Sequence, residues 1–127
     1  EAQVLYEAMR VGAADGTVLG TIHGGGGESV RERVVTDLGV AESAFADTDL
    51  VVTLEAYEEA GSRQRQVRSV EVVRRTSDGV GFEPLYDPET ETIDVADSRL
   101  IAALSTPTET AADVRTDISK RTRELEV

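Results

Sequence analysis

The chain has 127 residues, with 25 acidic against 13 basic side chains and a formal net charge of −12. Such a balance argues against a nucleic-acid binder, because those proteins depend on Lys and Arg to neutralise phosphate. With no cysteine there is neither a disulfide framework nor a thiolate metal site, and no apolar run approaches the ~20 residues needed to cross a bilayer.

In chain order, Val4, Leu5, Ala8, Met9 and Val11 recur close to i, i+3, i+4 and i+7, which predicts a helix over residues 2–11 with one buried face. Gly12–Gly16 (GAADG) stops it. Thr17–Ile22 (TVLGTI) is β-branched and nearly all apolar, the pattern of a strand covered on both faces, with Gly20 allowing close backbone approach. It leads to His23, the lone histidine, and then to the tetraglycine Gly24–Gly27. Ser29 with Glu32 reads as a capping box for a helix whose stripe is Val30, Val34, Val35 and Leu38 and whose C′ residue is Gly39.

A short turn or helix near Glu42–Phe45 precedes Leu50–Leu54 (LVVTL), a second core strand. A polar loop over Glu58–Arg65 then connects to an alternating strand over Gln66–Arg74, paired with 50–54 as a hairpin. Ser77-Asp78-Gly79 is a tight-turn signal, so Val80–Tyr86 returns as a third antiparallel strand. Asp87-Pro88-Glu89 turns again, and Thr92–Val95 makes a short strand. Asp97 or Ser98 caps a short helix through Leu104, and Thr106-Pro107-Thr108-Glu109 reads as cap, first-turn proline and third-position Glu for a helix to about Leu125. Its apolar stripe of Ala111, Val114, Ile118 and Leu125 is thin, the mark of a peripheral helix.

The opening stretch EAQVLYEAMRVGAADGTVLGTIHG (Glu1–Gly24) carries a resemblance as well as a pattern. Its EAxxLYEAMRVGA…GTIHG segment resembles the stretch that follows the Walker B region in the ATPases of type II and type IV secretion, pilus and archaellum assembly, particularly the archaeal members. The likeness is good over residues 1–55 and fades beyond about residue 75. It implies an α/β fold that is the C-terminal part of a RecA-like P-loop ATPase domain. The sheet would be mixed, with Thr17–Ile22 and Leu50–Leu54 central, the 66–86 hairpin toward an edge, and helices flanking. Residues 1–96 would complete that domain and 97–127 form a helical extension.

The same resemblance implies that His23 is the His box residue, reaching toward the terminal phosphate of ATP. Glu1 would match the acidic residue just after the Walker B arginine, or be a solvated carboxylate at a helix start. Gly24 opens a loop that leads its N–H groups toward phosphate or serves as a loose connector; GGGGES departs from the GDS-like family pattern. The position of a second family histidine reads Gly12-Ala13 here. No G-x-x-x-x-G-K-[ST] occurs, so ATP and Mg²⁺ would be held by the full-length parent and no cofactor is expected for this piece alone. The implied parent is a homohexameric, cytoplasmic ring working through a membrane platform protein without inserting into the membrane itself. A non-catalytic acidic interaction module, or a degenerate paralogue of the ATPase, is the competing expectation.

Two further features stay open on the residues alone. Arg63, Arg65, Arg68, Arg74 and Arg75 cluster in the hairpin, either as a solvated strand face paired with Glu71 and Glu58 or as arginine fingers. Asp47, Asp49 and the Asp87/Glu89/Glu91 run show no EF-hand spacing, and no metal site is expected. The acidic excess, with Lys120 the one lysine, fits a protein adapted to a salty cytoplasm, where a Debye length of about 3 Å at 1 M screens self-repulsion.

Overall fold

The computed structural model describes residues 1–11, 17–93 and 99–126. They form a mixed α/β chain with a three-stranded antiparallel sheet and flanking helices, divided into units Glu1–Thr92 and Ile93–Val127.

The first unit is organised by a long hairpin. β1 (Leu50–Glu59) pairs antiparallel with β2 (Ser62–Thr76), which pairs antiparallel with β3 (Gly79–Pro84), giving the order β1-β2-β3. The hairpin is longer than the sequence suggests, because Glu58–Arg65 is not a loop. Ala60 (φ 50°) and Gly61 (φ 77°) alone make the turn, and two successive positive φ values match the right-handed twist of the flanking strands. The Asp78-Gly79 signal holds as read: Thr76 pairs with Gly79 across a two-residue turn.

One face of this sheet is covered. Val51 on β1, Val73 on β2 and Val80 and Phe82 on β3 point to the same side and meet Val30, Val34, Val40 and Phe45 from the helical layer. α2 (Gly27–Glu32) continues through a wider π-type turn over Arg33–Asp37, closed by the Leu38 N–H donating to the Arg33 carbonyl at 3.0 Å. Gly39 follows at φ 69°, the left-handed C′ residue that the sequence indicates. α3 (Glu42–Phe45) then drops Phe45, 0 % exposed, between Tyr6 (ring centroids 6.2 Å apart) and Phe82 (6.3 Å). Val30, Val34 and Val35 of the predicted stripe do pack here, whereas Leu38 stays exposed.

The opening of the chain corrects the sequence reading most. α1 (Ala2–Val11) forms, but its packed residues are Ala2 and Tyr6, with Gln3 Nε2 donating to the Gly39 carbonyl (2.9 Å) and Tyr6 Oη within 3.2 Å of Thr48 Oγ1. The expected buried face is outward, with Val4 71 % and Val11 79 % exposed. Thr17–Ile22 is not a central strand: it has no ladder partner among the described residues, and Leu19 is 95 % exposed. Apolar periodicity says which residues a strand would bury; a strand also needs an available edge to satisfy its backbone. The sheet is therefore antiparallel rather than mixed, and its central strand is β2 rather than Thr17–Ile22 or Leu50–Leu54. Gly20 meets no crowding either, since a Cβ there would find Leu5 Cδ2 at an ordinary 3.8 Å. The GAADG stop and the Gly12-Ala13 position lie outside the described residues.

Beyond β3, Asp87 Oδ1 accepts from the Glu89 N–H (2.9 Å), the turn expected there, between the two-residue strands β4 (Tyr86–Asp87) and β5 (Thr92–Ile93). Asp94 and Val95 of the predicted strand, and the caps Asp97 and Ser98, lie outside the described residues. In the second unit α4 (Arg99–Leu104) is followed by α5 (Ala111–Leu125). α5 begins later than Pro107 because Thr110 and Asp113 form the capping box, while Glu109 folds back on Thr106 in a separate turn. Val114 is buried, and the rest of the stripe is thinly covered, as expected of a peripheral helix. No described helix is long and apolar enough to cross a membrane.

Candidate functional site

His23 follows the Thr17–Ile22 segment, which has no regular secondary structure, and lines a cleft of about 200 Å³ with Ser29, Glu32, Arg33 and Asp37. The chain arrives there because Gly24–Gly27 turns it into α2, which supplies Ser29 and Glu32, and the π-type turn supplies Arg33 and Asp37. The cleft is shallow and polar, and every residue named stands at the surface or close to it.

The start of α2 is built differently from the sequence expectation. Gly26 is the N-cap (φ 145°) with no side-chain cap, and Ser29 forms no capping box with Glu32; its hydroxyl instead accepts from the Gly25 N–H at 3.3 Å. The amide that would face an anion is already engaged: the Gly27 N–H donates to Glu71 Oε2 at 2.7 Å. Glu71 lies on the covered face of β2, opposite Val51 in the β1 register, so the sheet itself supplies an acceptor to the helix start. Gly27 also has no room for a side chain, since a Cβ there would lie 2.3 Å from the Phe82 ring. Helix start, β2 and β3 thus meet at one backbone position.

This arrangement bears on the cofactor implied by the resemblance. A triphosphate needs a cradle of free N–H groups and cations. Here a carboxylate takes the Gly27 amide, and the cleft sets one arginine, Arg33, against Glu32 and Asp37. The residues present do not fit ATP and Mg²⁺ by themselves. Among the described residues no three His, Cys, Asp or Glu side chains converge on a common point either. What the cleft can do is hydrogen-bond a small polar group through the His23 imidazole and the Ser29 hydroxyl.

The other predicted residues are dispersed. Glu1 is exposed ahead of α1, where its carbonyl accepts from the Leu5 N–H at 3.2 Å, and it is not among the residues that line the His23 cleft. Gly24 packs beside Val30, whose Cγ2 would be 2.7 Å from a Cβ at that position, so it serves the turn into α2. The arginines are all solvated but do not share one face, since Arg74 and Arg75 are adjacent on β2 and point to opposite sides, and their partners differ in part from those expected. Arg74 bonds Glu83 at 2.7 Å, Arg75 bonds Asp47, Arg68 approaches Glu55 at 4.0 Å, and Arg63 faces Glu58 in register. Glu71, expected among them, caps α2 instead.

Sequence reasoning missed two contacts. Glu71 gave no local signal, because its partner is 44 residues away. Arg31 bridges Glu28 (2.6 Å) and Glu42 (2.7 Å), joining α2 to α3; the Glu28 hydrogen bond is the chief reason its guanidinium holds its proton above the ordinary arginine value. A second cleft, about 300 Å³, lies between α1 and the segment from Gly39 to Ala44 and is lined in part by Tyr6, Glu7 and Arg10. No protein-family model matches the chain, and no curated protein matches it at a significant level.

Proposed function

We propose that this chain is the C-terminal part of a RecA-like motor ATPase of the secretion and pilus class. Its parent would be a homohexameric ring at the cytoplasmic side of the membrane, where ATP hydrolysis drives secretion or filament assembly through a membrane platform protein. The observation that carries the reading is the run EAQVLYEAMRVGA…GTIHG, ending in a histidine that turns directly into a glycine loop and a helix. The polar cleft on which His23 opens supports it, as does an acidity suited to a salty archaeal cytoplasm. On this reading the nucleotide is held by other parts of the parent, and the chain alone neither binds ATP tightly nor hydrolyses it.

One observation favours a second reading, a non-catalytic acidic interaction module or degenerate paralogue. Glu71 already occupies the Gly27 amide, and no lysine follows the glycine run to meet phosphate.

Calorimetry with Mg-ATP in multimolar KCl separates the two. It is run on this chain and on the chain joined to the residues encoded ahead of Glu1. The motor reading expects binding and turnover only in the extended chain, with His23→Ala lowering turnover by about 10²-fold, the scale of a lost group that acts on the reacting phosphate. An extended chain that stays silent in the same salt removes the motor reading and leaves the interaction module.

A further inference from the structure

The β1–β2 hairpin runs beyond the rest of its sheet. β3 pairs with β2 only over Glu71–Thr76, so Ser62–Arg68 has an open edge, while β1 is terminal in the order β1-β2-β3 and has an open edge along its length among the described residues. Residues 62–68 of β2 are all exposed. The arm is therefore a two-stranded ribbon with two unpaired edges, each a template for another strand.

The two edges differ in sign. β1 carries Glu55, Glu58 and Glu59 along the arm, and β2 carries Arg63, Arg65 and Arg68. In a chain of net charge −12 with 13 basic residues, β2 holds five of them (Arg74 and Arg75 are the others). Within one ribbon the opposite signs face each other: Glu58 is the register partner of Arg63, and Arg68 lies 4.0 Å from Glu55. Two copies meeting through like edges would set Glu against Glu or Arg against Arg, which destabilises a strand pair. Unlike edges repeat the antiparallel acid–base pairing already present inside the hairpin. Val52, Leu54 and Val67, exposed on one face of the ribbon, would continue as an apolar strip across that junction.

We infer that the partner of this arm is a second copy of the chain, docked head to tail with the acidic β1 edge of one copy on the basic β2 edge of the next. The two surfaces are different, so the contact does not saturate at a dimer; it extends to a ring or an open filament. The ATPase reading names a ring but no contact; this inference assigns the contact to the two hairpin edges and stands without that reading.

The test is sedimentation of the whole chain from about 1 to about 100 µM, a range that brackets micromolar association. The expected result is a mass that climbs with concentration past that of a dimer. A swapped variant then identifies the edges: Glu55→Arg, Glu58→Arg and Glu59→Arg together with Arg63→Glu, Arg65→Glu and Arg68→Glu. It preserves both acid–base pairs inside the hairpin and reverses the sign of each edge. Swapped chains assemble with one another, whereas chains carrying only Glu55→Arg, Glu58→Arg and Glu59→Arg, or only Arg63→Glu, Arg65→Glu and Arg68→Glu, present two edges of one sign and stay monomeric. An original chain that stays monomeric throughout overturns the inference, as does either single-edge variant assembling as far as the original. Binding of a Glu-rich extended peptide by a chain that remains monomeric also overturns it, assigning the edge to another protein. If circular dichroism shows the swapped chain unfolded, amide exchange of the original decides: protection of residues 62–68 rises with concentration, or the inference fails.

Discussion

The opening stretch and the hairpin core of this chain stand in opposite relations to their sequences. Glu1–Gly24 carries the most recognisable pattern, yet it contributes Ala2 and Tyr6 to the core while Val4, Val11 and Leu19 face outward. The region from Gly27 to Phe82 carries only local capping and turn signals and a scatter of arginines, yet it holds the buried cluster around Phe45 and an amide that ties helix to sheet. The distinctive part of a sequence records what a segment must present, whereas burial records what holds the chain together, and here the two lie apart.

The largest expected effect tests the core side of that contrast. Phe45 is 0 % exposed and lies between the Tyr6 and Phe82 rings, so Phe45→Ala removes contacts from α1 and β3 at once and should cost about 3–5 kcal/mol in denaturant unfolding. A loss below about 1 kcal/mol would mean that the cluster does not hold this unit together.

A middle point comes from the second unit. Thr110→Ala removes the side-chain acceptor for the Asp113 N–H (3.2 Å) and should weaken α5 by about 1 kcal/mol, read from helical circular dichroism on heating. The Thr110 backbone N–H, followed by its hydroxyl, holds the Asp113 carboxyl below the usual carboxylate value. A depressed folded-state pKa means that this stabilisation is present above the unfolded carboxylate pKa and is lost as pH falls through the folded one. Acid titration of the original chain should therefore show α5 giving way later than in Thr110→Ala, and identical titrations would assign the effect to the Thr110 backbone N–H, which the variant keeps.

The smallest effect sharpens the other side. Leu19 is 95 % exposed, so Leu19→Ser should change stability by less than about 0.5 kcal/mol. A loss of about 2 kcal/mol or more would restore Thr17–Ile22 as the buried strand that its composition suggests.

The sheet was legible because its signals are local. Alternation over Gln66–Arg74 and the Ser77-Asp78-Gly79 turn place β2 and β3 within a few residues of their observed bounds. Ala60-Gly61 was not read as a turn because alanine seldom takes a positive φ, and the surrounding Glu and Arg residues resemble a polar loop. Capping signals were half legible. Thr106 and Glu109 make the contacts of a helix start without starting one, because the helix follows Thr110 and Asp113 three residues later in the same kind of box. At the candidate site, the placement of His23 before the glycine run was readable, whereas Arg33 and Asp37 carried no signal of their own. Nothing local could announce that Glu71 would reach the Gly27 amide.

That amide also sets an order of events. The contact between Gly27 and Glu71 spans 44 residues, and Glu71 is held in place by its neighbours on β1 and β3. Closing so long a loop is entropically costly until the hairpin has formed from its own short turns. The first turn of α2 then remains frayed through the early stages of folding and becomes fixed only when β2 is in register. The angle at which the glycine run leaves the helix, and with it the approach of His23 to its cleft, is a late product of sheet assembly, so any event that loosens β2 is transmitted to the histidine without touching it.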